Sequence, residues 1–267
     1  MSFEHEGKTF AALLEKLEKQ KGLLFMQLDP PNYSPEQAGK IAKIGEENGL
    51  DAIAVGGSVG AQGELLDNTI QAIKQNSKLP VILFPGNIAT LSKHADAMYF
   101  MSMLNSTDPY WISGAQISAS AVVKRLGVEP IPTSYIIVEP GRAVGWMGRA
   151  QPVPRNQPYL AVITALAGQY MGAHLVILES GGGSETAAPK EMVSMVKKSI
   201  DVPLLIAGGI RTPETAYETI RAGADIVQVG TPFEQAKADP KKLASLFKEF
   251  SEAVRNGAKE KNGKEKK

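Results

Sequence analysis

Two carboxylates and three sets of glycines are the residues of this chain best suited to chemistry. In "LVILESGGGSE", Leu175 to Glu185, an apolar run ends on Glu179, and Gly181, Gly182 and Gly183 follow at once. Glycine lets backbone come close to a ligand, and a helix that starts after such a turn offers free N–H groups and the positive end of its dipole. "AGGIRTPE", with Gly208 and Gly209, and "VGTPFE", with Gly230 and Thr231, repeat the pattern. Together they make a phosphate cradle. A carboxylate beside a phosphate is repelled unless it turns toward a hydroxyl, so Glu179 is suited to hold an alcohol and take its proton as the oxygen becomes a nucleophile. Asp29 ends "GLLFMQLDP" and Ser58 ends "LDAIAVGGS". Hard oxygen donors of this kind suit Mg²⁺, which takes few protein groups and completes its octahedron with water and phosphate oxygens. A metal-bound second phosphate opposite the first is the consequence. The plain structural alternatives are glycines that merely turn the chain, an ion pair for Glu179 at its strand end, and a turn opener at Asp29.

These residues need elements that bring them to one place. Eight apolar runs bounded by turn residues are legible as strands: "GLLFMQLDP", "LDAIAVGGS", "LPVILFPGN", "ADAMYFMSMLNS", "SYIIVEPG", "AHLVILESGGG", "VPLLIAGGI" and "ADIVQVGTP". Helical patterns separate most of them. Ser34, Pro35 and Gln37 open one helix as a capping box, and Thr212, Pro213 and Glu214 open another that Gly223 closes. Alternating strands and helices imply a parallel sheet, and near-continuous apolar strands imply burial on both faces. The pattern predicts an α/β fold, a TIM (β/α)8 barrel, whose active site lies at the C-terminal ends of the strands. "PGNIATLSKHADA", Pro85 to Ala97, is too short for a full third helix.

Composition bounds the rest. The 267 residues are 43% hydrophobic, enough for one large core, and the expected organisation is a single catalytic barrel over residues 1–256. Residues 257–267, "GAKEKNGKEKK", are expected as a lysine-rich disordered tail. With 29 Lys+Arg against 28 Asp+Glu, the molecule has no net field to gather nucleic acid or an anionic membrane, so an anionic ligand must be held locally. The absence of cysteine excludes disulfides, thiolate nucleophiles and Cys-ligated metals. No apolar leader and no run near the roughly 20 apolar residues of a membrane span is seen, so a cytoplasmic protein without stable membrane insertion is expected.

Several blocks together resemble a known family. They are "LDP" at Leu28, "GGS" at Gly56, "LFPGN" at Leu83, "FMSMLNS" with "DPYWI" and "GAQ" from Phe100 to Gln116, and "YIIVEPG" with "AVGWMG" from Tyr135 to Gly148. "LES" with "GGS" from Leu178 to Ser184, "AGGI" at Ala207 and "VGT" at Val229 complete the set. From about Lys21 to Pro240 the chain resembles geranylgeranylglyceryl phosphate synthase. The resemblance implies a Mg²⁺-dependent transfer of a prenyl group from geranylgeranyl diphosphate to the hydroxyl of sn-glycerol 1-phosphate, in archaeal membrane lipid synthesis. It implies a barrel whose third helix is missing or reduced to a short segment, and a homo-oligomer, dimer or hexamer. By the same resemblance Asp29 and Ser58 hold the metal. Glycerol phosphate meets Ile177, Leu178, Glu179, Ser180, Gly181, Gly182 and Gly183, then Gly208, Gly209, Gly230 and Thr231, with Glu179 holding the acceptor hydroxyl.

The chain departs from that pattern at two positions. Ile177 stands where many members carry Tyr, and Gln27 stands where one branch carries Lys. Altered affinity is expected from both, with Arg142 or Lys21 as possible sources of replacement charge. Tyr99, Phe100, Tyr110, Trp111 and Tyr135 are the candidates for a groove that holds and measures a long chain, and Trp146 for a subunit contact. The alternatives are a synthase for a longer, heptaprenyl chain, an isomerase or flavin barrel on the same phosphate cradle, and a non-catalytic barrel that binds phosphate or a lipid precursor.

Overall fold

Successive residues of a strand face opposite sides, and in this chain both sides are covered. The structure, a computed structural model, describes residues 7–264. Its strands are β1 (Leu23–Leu28), β2 (Ala52–Gly57), β3 (Val81–Pro85), β4 (Ala97–Met103), β5 (Glu129–Ile137), β6 (Leu175–Glu179), β7 (Leu204–Ala207) and β8 (Ile226–Val229). They pair in parallel in chain order, and β8 closes on β1 through Leu23 opposite Ile226. Phe25, Ile82, Tyr99, Ile131, Ile177 and Leu205 belong to the set that fills the barrel. Their neighbours Leu24, Met26, Val81, Val176, Leu178 and Leu204 belong to the set that meets the helices. The parallel barrel expected from the apolar runs is therefore the fold.

The helices are α1 (Lys8–Gln20), α2 (Pro35–Glu47), α3 (Gly63–Asn76), α4 (Ala115–Leu126), α5 (Arg142–Met147), α6 (Pro158–Tyr170), α7 (Lys190–Ser199), α8 (Pro213–Ala222), α9 (Thr231–Ala236) and α10 (Pro240–Lys264). Ser34 and Gln37 form the capping box of α2, and Thr212 accepts from the Thr215 N–H to cap α8. Among the described residues no helix lies between β3 and β4. A π-helical turn, Tyr110–Gly114, leads into α4. β5 starts earlier than "SYIIVEPG" suggests, because β4 pairs with it from Ala97 opposite Glu129 onward despite Pro130 and Pro132.

The underside is built for stability. Phe10 and Leu13 of α1 pack into the barrel's lower end with Leu23, Phe25 and Ile131. The Glu129 carboxylate accepts from the N–H groups of Thr9 and Phe10 at 2.8 and 2.9 Å, which ties the start of α1 to β5. Three aspartates at strand starts bind an N–H at the beginning of the neighbouring strand: Asp51 that of Leu24, Asp96 that of Val81, and Asp225 that of Leu204. Each also carries cations: Lys16 and Arg255 on Asp51, Lys74 on Asp96, Lys197 and Lys261 on Asp225.

The expectation of a free tail from Gly257 is corrected. Helix α10 runs on to Lys264, Ala258 is 1% exposed, and Lys261 reaches Asp225 at 2.7 Å. Small residues make this possible: a side chain at Gly257 would come within 2.6 Å of the Tyr217 carbonyl oxygen, so glycine permits close approach to α8. Residues 265–267 of that expected tail lie outside the described residues.

Candidate active site

Toward the C-terminal ends of the strands the side chains that point into the barrel change from apolar to polar. Gln27 of β1, Tyr99 of β4, Tyr135 of β5, Glu179 of β6 and Gln228 of β8 all line one cavity, with Asp29 and Ser58 at its edge. The cavity measures about 1360 Å³ with its open mouth included. Gly182, Gly183, Gly208, Gly209, Gly230 and Thr231 line it too. These predicted residues are thus brought together.

Four predicted contacts are placed elsewhere. Ile177 points into the packed barrel interior below the cavity, and Leu178 points outward to the helices. Ser180 and Gly181 are buried behind the rim, and none of the four lines the cavity. Alternation along the strand turns Leu178 and Ser180 away from the face that carries Glu179, while Ile177 shares that face but lies one layer deeper in the packed interior.

Glu179 is 4% exposed. Its Oε1 accepts from the Gly181 N–H at 2.6 Å and its Oε2 from the Tyr135 hydroxyl at 3.5 Å. Burial pushes its pKa up to about 7; the Gly181 and Tyr135 hydrogen bonds oppose that shift, and the Asp29 charge adds to it. The loop after β7 bends through left-handed Gly208, at φ 75°, where a Cβ would stand 2.5 Å from Glu179 Oε1. Only glycine fits there.

Asp29 sits just past β1, with its Oδ1 accepting from Gln27 Nε2 at 2.6 Å. Burial raises its pKa to about 6, against the Gln27 hydrogen bond and with the help of the Glu234 charge. A Cβ on Gly57 would come within 3.0 Å of Asp29 Cγ, so the turn carrying Ser58 passes directly beside this carboxylate. Among the described residues no cluster of three His, Cys, Asp or Glu could hold a metal. One carboxylate and one hydroxyl on an open cavity nevertheless fit a magnesium ion that keeps water and ligand oxygens, as that ion commonly does.

Two arginines fasten the glycine loop. Arg211 donates to the Ser184 carbonyl at 2.9 Å and to the Gly183 carbonyl at 2.7 Å, and Arg142 donates to the same Gly183 oxygen at 3.1 Å. Arg211 lines the cavity and brings positive charge beside Gly208 and Gly209. Lys21, at the C-cap of α1 before β1, is at the opposite end of the barrel.

Most of the remaining wall is apolar: Phe84, Leu91, Met98, Phe100, Met101 and Trp111, with the small Ala115 and Ala119 of α4, interrupted by Asn87 and Gln116. Tyr110 does not line it and packs edge-on against Trp111 at 5.1 Å. Asn105, in the long block after β4, serves structure: it donates to the carbonyls of Ile137 and Gln151 at 2.9 and 2.8 Å. Glu139 accepts from the Arg155 N–H at 3.2 Å and stays outside the cavity. Sequence reasoning missed Gln228 and Arg211. A lone glutamine in the apolar run "ADIVQVG" was the available signal for the first.

Residues 15–250 match the model of the PcrB family. The chain belongs to the PcrB family. It is 53% identical to the geranylgeranylglyceryl phosphate synthase of Pyrococcus horikoshii over 251 residues, covering 94% of this chain and 96% of that protein. Among solved structures it is similar to the enzyme from Thermoplasma volcanium, with 37% identity and a TM-score of 0.86 over 91% of this chain and 97% of the other. The same TM-score, at 35% identity, relates it to the Thermoplasma acidophilum (S)-3-O-geranylgeranylglyceryl phosphate synthase in complex with its substrate sn-glycerol-1-phosphate, over 91% of this chain and 98% of the other.

Proposed function

We propose that this PcrB-family prenyltransferase joins geranylgeranyl diphosphate to sn-glycerol 1-phosphate through an ether bond, with magnesium required. The observation that carries the reading is a single cavity with two characters: a polar pole of Glu179, Asp29 and the glycine loops, and an apolar sleeve of Phe100, Met101, Trp111 and Ala119. A hydrocarbon chain joined to a diphosphate has these two needs. In its family the relatives are named as synthases of this product, and a structural neighbour holds sn-glycerol-1-phosphate.

In this reading the glycerol phosphate sits on the loops of Gly182, Gly183, Gly208, Gly209, Gly230 and Thr231, with Arg211 adding charge. Glu179 orients the free hydroxyl. With Oε1 held by the Gly181 N–H, Oε2 is the oxygen available to it. As the hydroxyl oxygen forms its bond to the allylic carbon, the bond from that carbon to diphosphate breaks and its electron pair leaves with the diphosphate. The hydroxyl proton passes to Glu179, whose pKa of about 7 suits a base near neutrality. Asp29 and Ser58 would hold the magnesium, which supplies charge to stabilise the leaving diphosphate. The aligned pair of reactants removes much of the entropic barrier. Exposed Trp146, with Tyr159 and Tyr170 of α6, supports assembly with further copies of the chain.

The test is extraction of lipid products after incubation with Mg²⁺, sn-glycerol 1-phosphate and prenyl diphosphates from C10 to C35, read by mass spectrometry. A dominant C20 ether that disappears in Glu179→Ala and Asp29→Ala is expected. A C35 preference would move the activity to the longer-chain synthases, and no ether from the wild type at any length would sink the reading.

A further inference from the structure

Four polar side chains cross the barrel interior as one chain of hydrogen bonds, and only its last member has a role so far. The Tyr99 hydroxyl donates to Gln228 Oε1 at 3.0 Å. Gln228 Nε2 donates to Gln27 Oε1 at 2.9 Å, and Gln27 Nε2 donates to Asp29 Oδ1 at 2.6 Å. Tyr99 and Gln228 are 1% and 3% exposed, so water does not substitute for these partners. The strands involved are β4, β8 and β1, and Gln27 and Gln228 are 201 residues apart in sequence.

The chain has a direction, and chemistry fixes it. A carboxamide has a donor end and an acceptor end. The Gln27 amide group faces two acceptors, Asp29 Oδ1 and, at 3.2 Å, the Gly56 carbonyl, so its NH₂ must point there. Its oxygen then needs a donor, which only the NH₂ of Gln228 supplies among the described residues. That leaves the Gln228 oxygen for the Tyr99 proton. Turning over either amide would set oxygen against oxygen in a buried site, where an unmatched polar atom costs most.

We propose that Gln228 and Tyr99 are positioning residues for Asp29: through Gln27 they hold its Oδ1 in place and leave Oδ2 facing the cavity. The proposal rests on the reading of Asp29 as a magnesium ligand. Neither residue needs to touch substrate in this role. Tyr99 is also packed edge-on against Phe84 at 5.5 Å, so Tyr99→Phe keeps the ring and removes only the donor. Gln228→Met keeps the length of the side chain and removes both ends of the amide.

Two measurements on the full-length protein separate the parts of the proposal. In the metal-free protein, the Gln27 side-chain NH₂ protons are followed by NMR hydrogen exchange. Exchange is expected to be slow in the wild type and at least about tenfold faster in both variants, as a matched buried donor becomes mobile. In the prenyl-transfer assay, the magnesium concentration for half-maximal rate is expected to rise about fivefold, the equivalent of one hydrogen bond. The KM for sn-glycerol 1-phosphate should remain within about twofold, because the glycine cradle is untouched. Wild-type exchange rates in both variants would overturn the relay itself. Faster exchange with an unchanged magnesium requirement, or a KM for glycerol phosphate that rises in step, would overturn its positioning role. A wild type that makes no ether would count against the proposed function, while the exchange measurement would still decide the relay.

Discussion

Glu179 is the residue at which stability and chemistry pull in opposite directions. A carboxyl whose folded pKa is about 7 keeps its proton in the folded state between pH 4.5 and 7, while the unfolded chain has already released it. Folding stability therefore falls as pH rises through that window, and the loss is complete above it. The sign means that Glu179→Gln should be more stable than the wild type at pH 8, by about 1–3 kcal/mol, and equal to it near pH 4.5. Urea unfolding at the two pH values checks this; a Gln variant less stable at pH 8 would contradict the burial argument. Activity should move the other way. The wild-type rate is expected to fall as pH drops through about 7, as the base becomes protonated. Much of this residue's placement was legible, because an acid that ends a buried strand before three glycines is rare company. Its partner Tyr135 was not legible as such: it sits one strand away, opposite Ile177 in register, and nothing in a linear reading aligns the two.

At the scale of elements, the barrel uses its two ends differently. The upper end spends glycines and short loops on a cavity, and the lower end binds strand to helix with buried charge. Glu129 shows the second use. Helix α1 has no side-chain cap of its own at Gly7, and the Glu129 carboxylate takes its place across 119 to 120 residues of sequence. Glu129→Ala is expected to cost about 1–2 kcal/mol, the range of a lost N-cap reinforced by the helix dipole. Thermal unfolding measures it, and prenyl-transfer kinetics at 25 °C should change little because the cavity is at the other end. The elements themselves were well marked in the chain. Apolar runs gave all eight strands, and the caps at Ser34 and Thr212 gave the starts of α2 and α8. The last helix was misjudged because lysines dominate its end by count, while the contacts that hold it come from Ala258, Gly257 and the ammonium of Lys261 on Asp225.

For the whole molecule, the proposed reaction makes the size of the apolar sleeve the expected limit on which chain is accepted. Helix α4 presents Ala115 and Ala119 to the cavity, one turn apart, so the wall is wide where bulk would be cheap to add. Each further isoprene unit gains roughly 4 kcal/mol of burial if space continues, so affinity alone favours longer chains and only a wall stops them. Ala119→Phe should therefore shift the product from C20 toward C15 or shorter, with the C20 rate falling about tenfold or more. Mass spectrometry of mixed-diphosphate reactions would read the ratio, and an unchanged C20 preference would place the sleeve's limit elsewhere. The sequence pointed to aromatics as the measure of length, yet the alanines that make room gave no signal, since an alanine in a helix usually means only packing.

The closing helix also bears on how the chain is made. Arg255 of α10 donates to the Gly22 carbonyl and, at 2.7 Å, to Asp51, and Lys261 meets Asp225. A buried aspartate that lacks one of its cations is destabilised; Lys16 and Lys197 are made before the aspartates they meet, whereas Arg255 and Lys261 are made after them. At about 5–20 residues per second, Asp225 waits roughly 2–7 s for Lys261 and Asp51 roughly 10–40 s for Arg255. Chains halted before α10 should accordingly be digested by protease far faster than the released product, and a halted chain as resistant as the finished one would disprove it. Helix α10 thus ties the start of β1 and the start of β8 together only after both strands have been made.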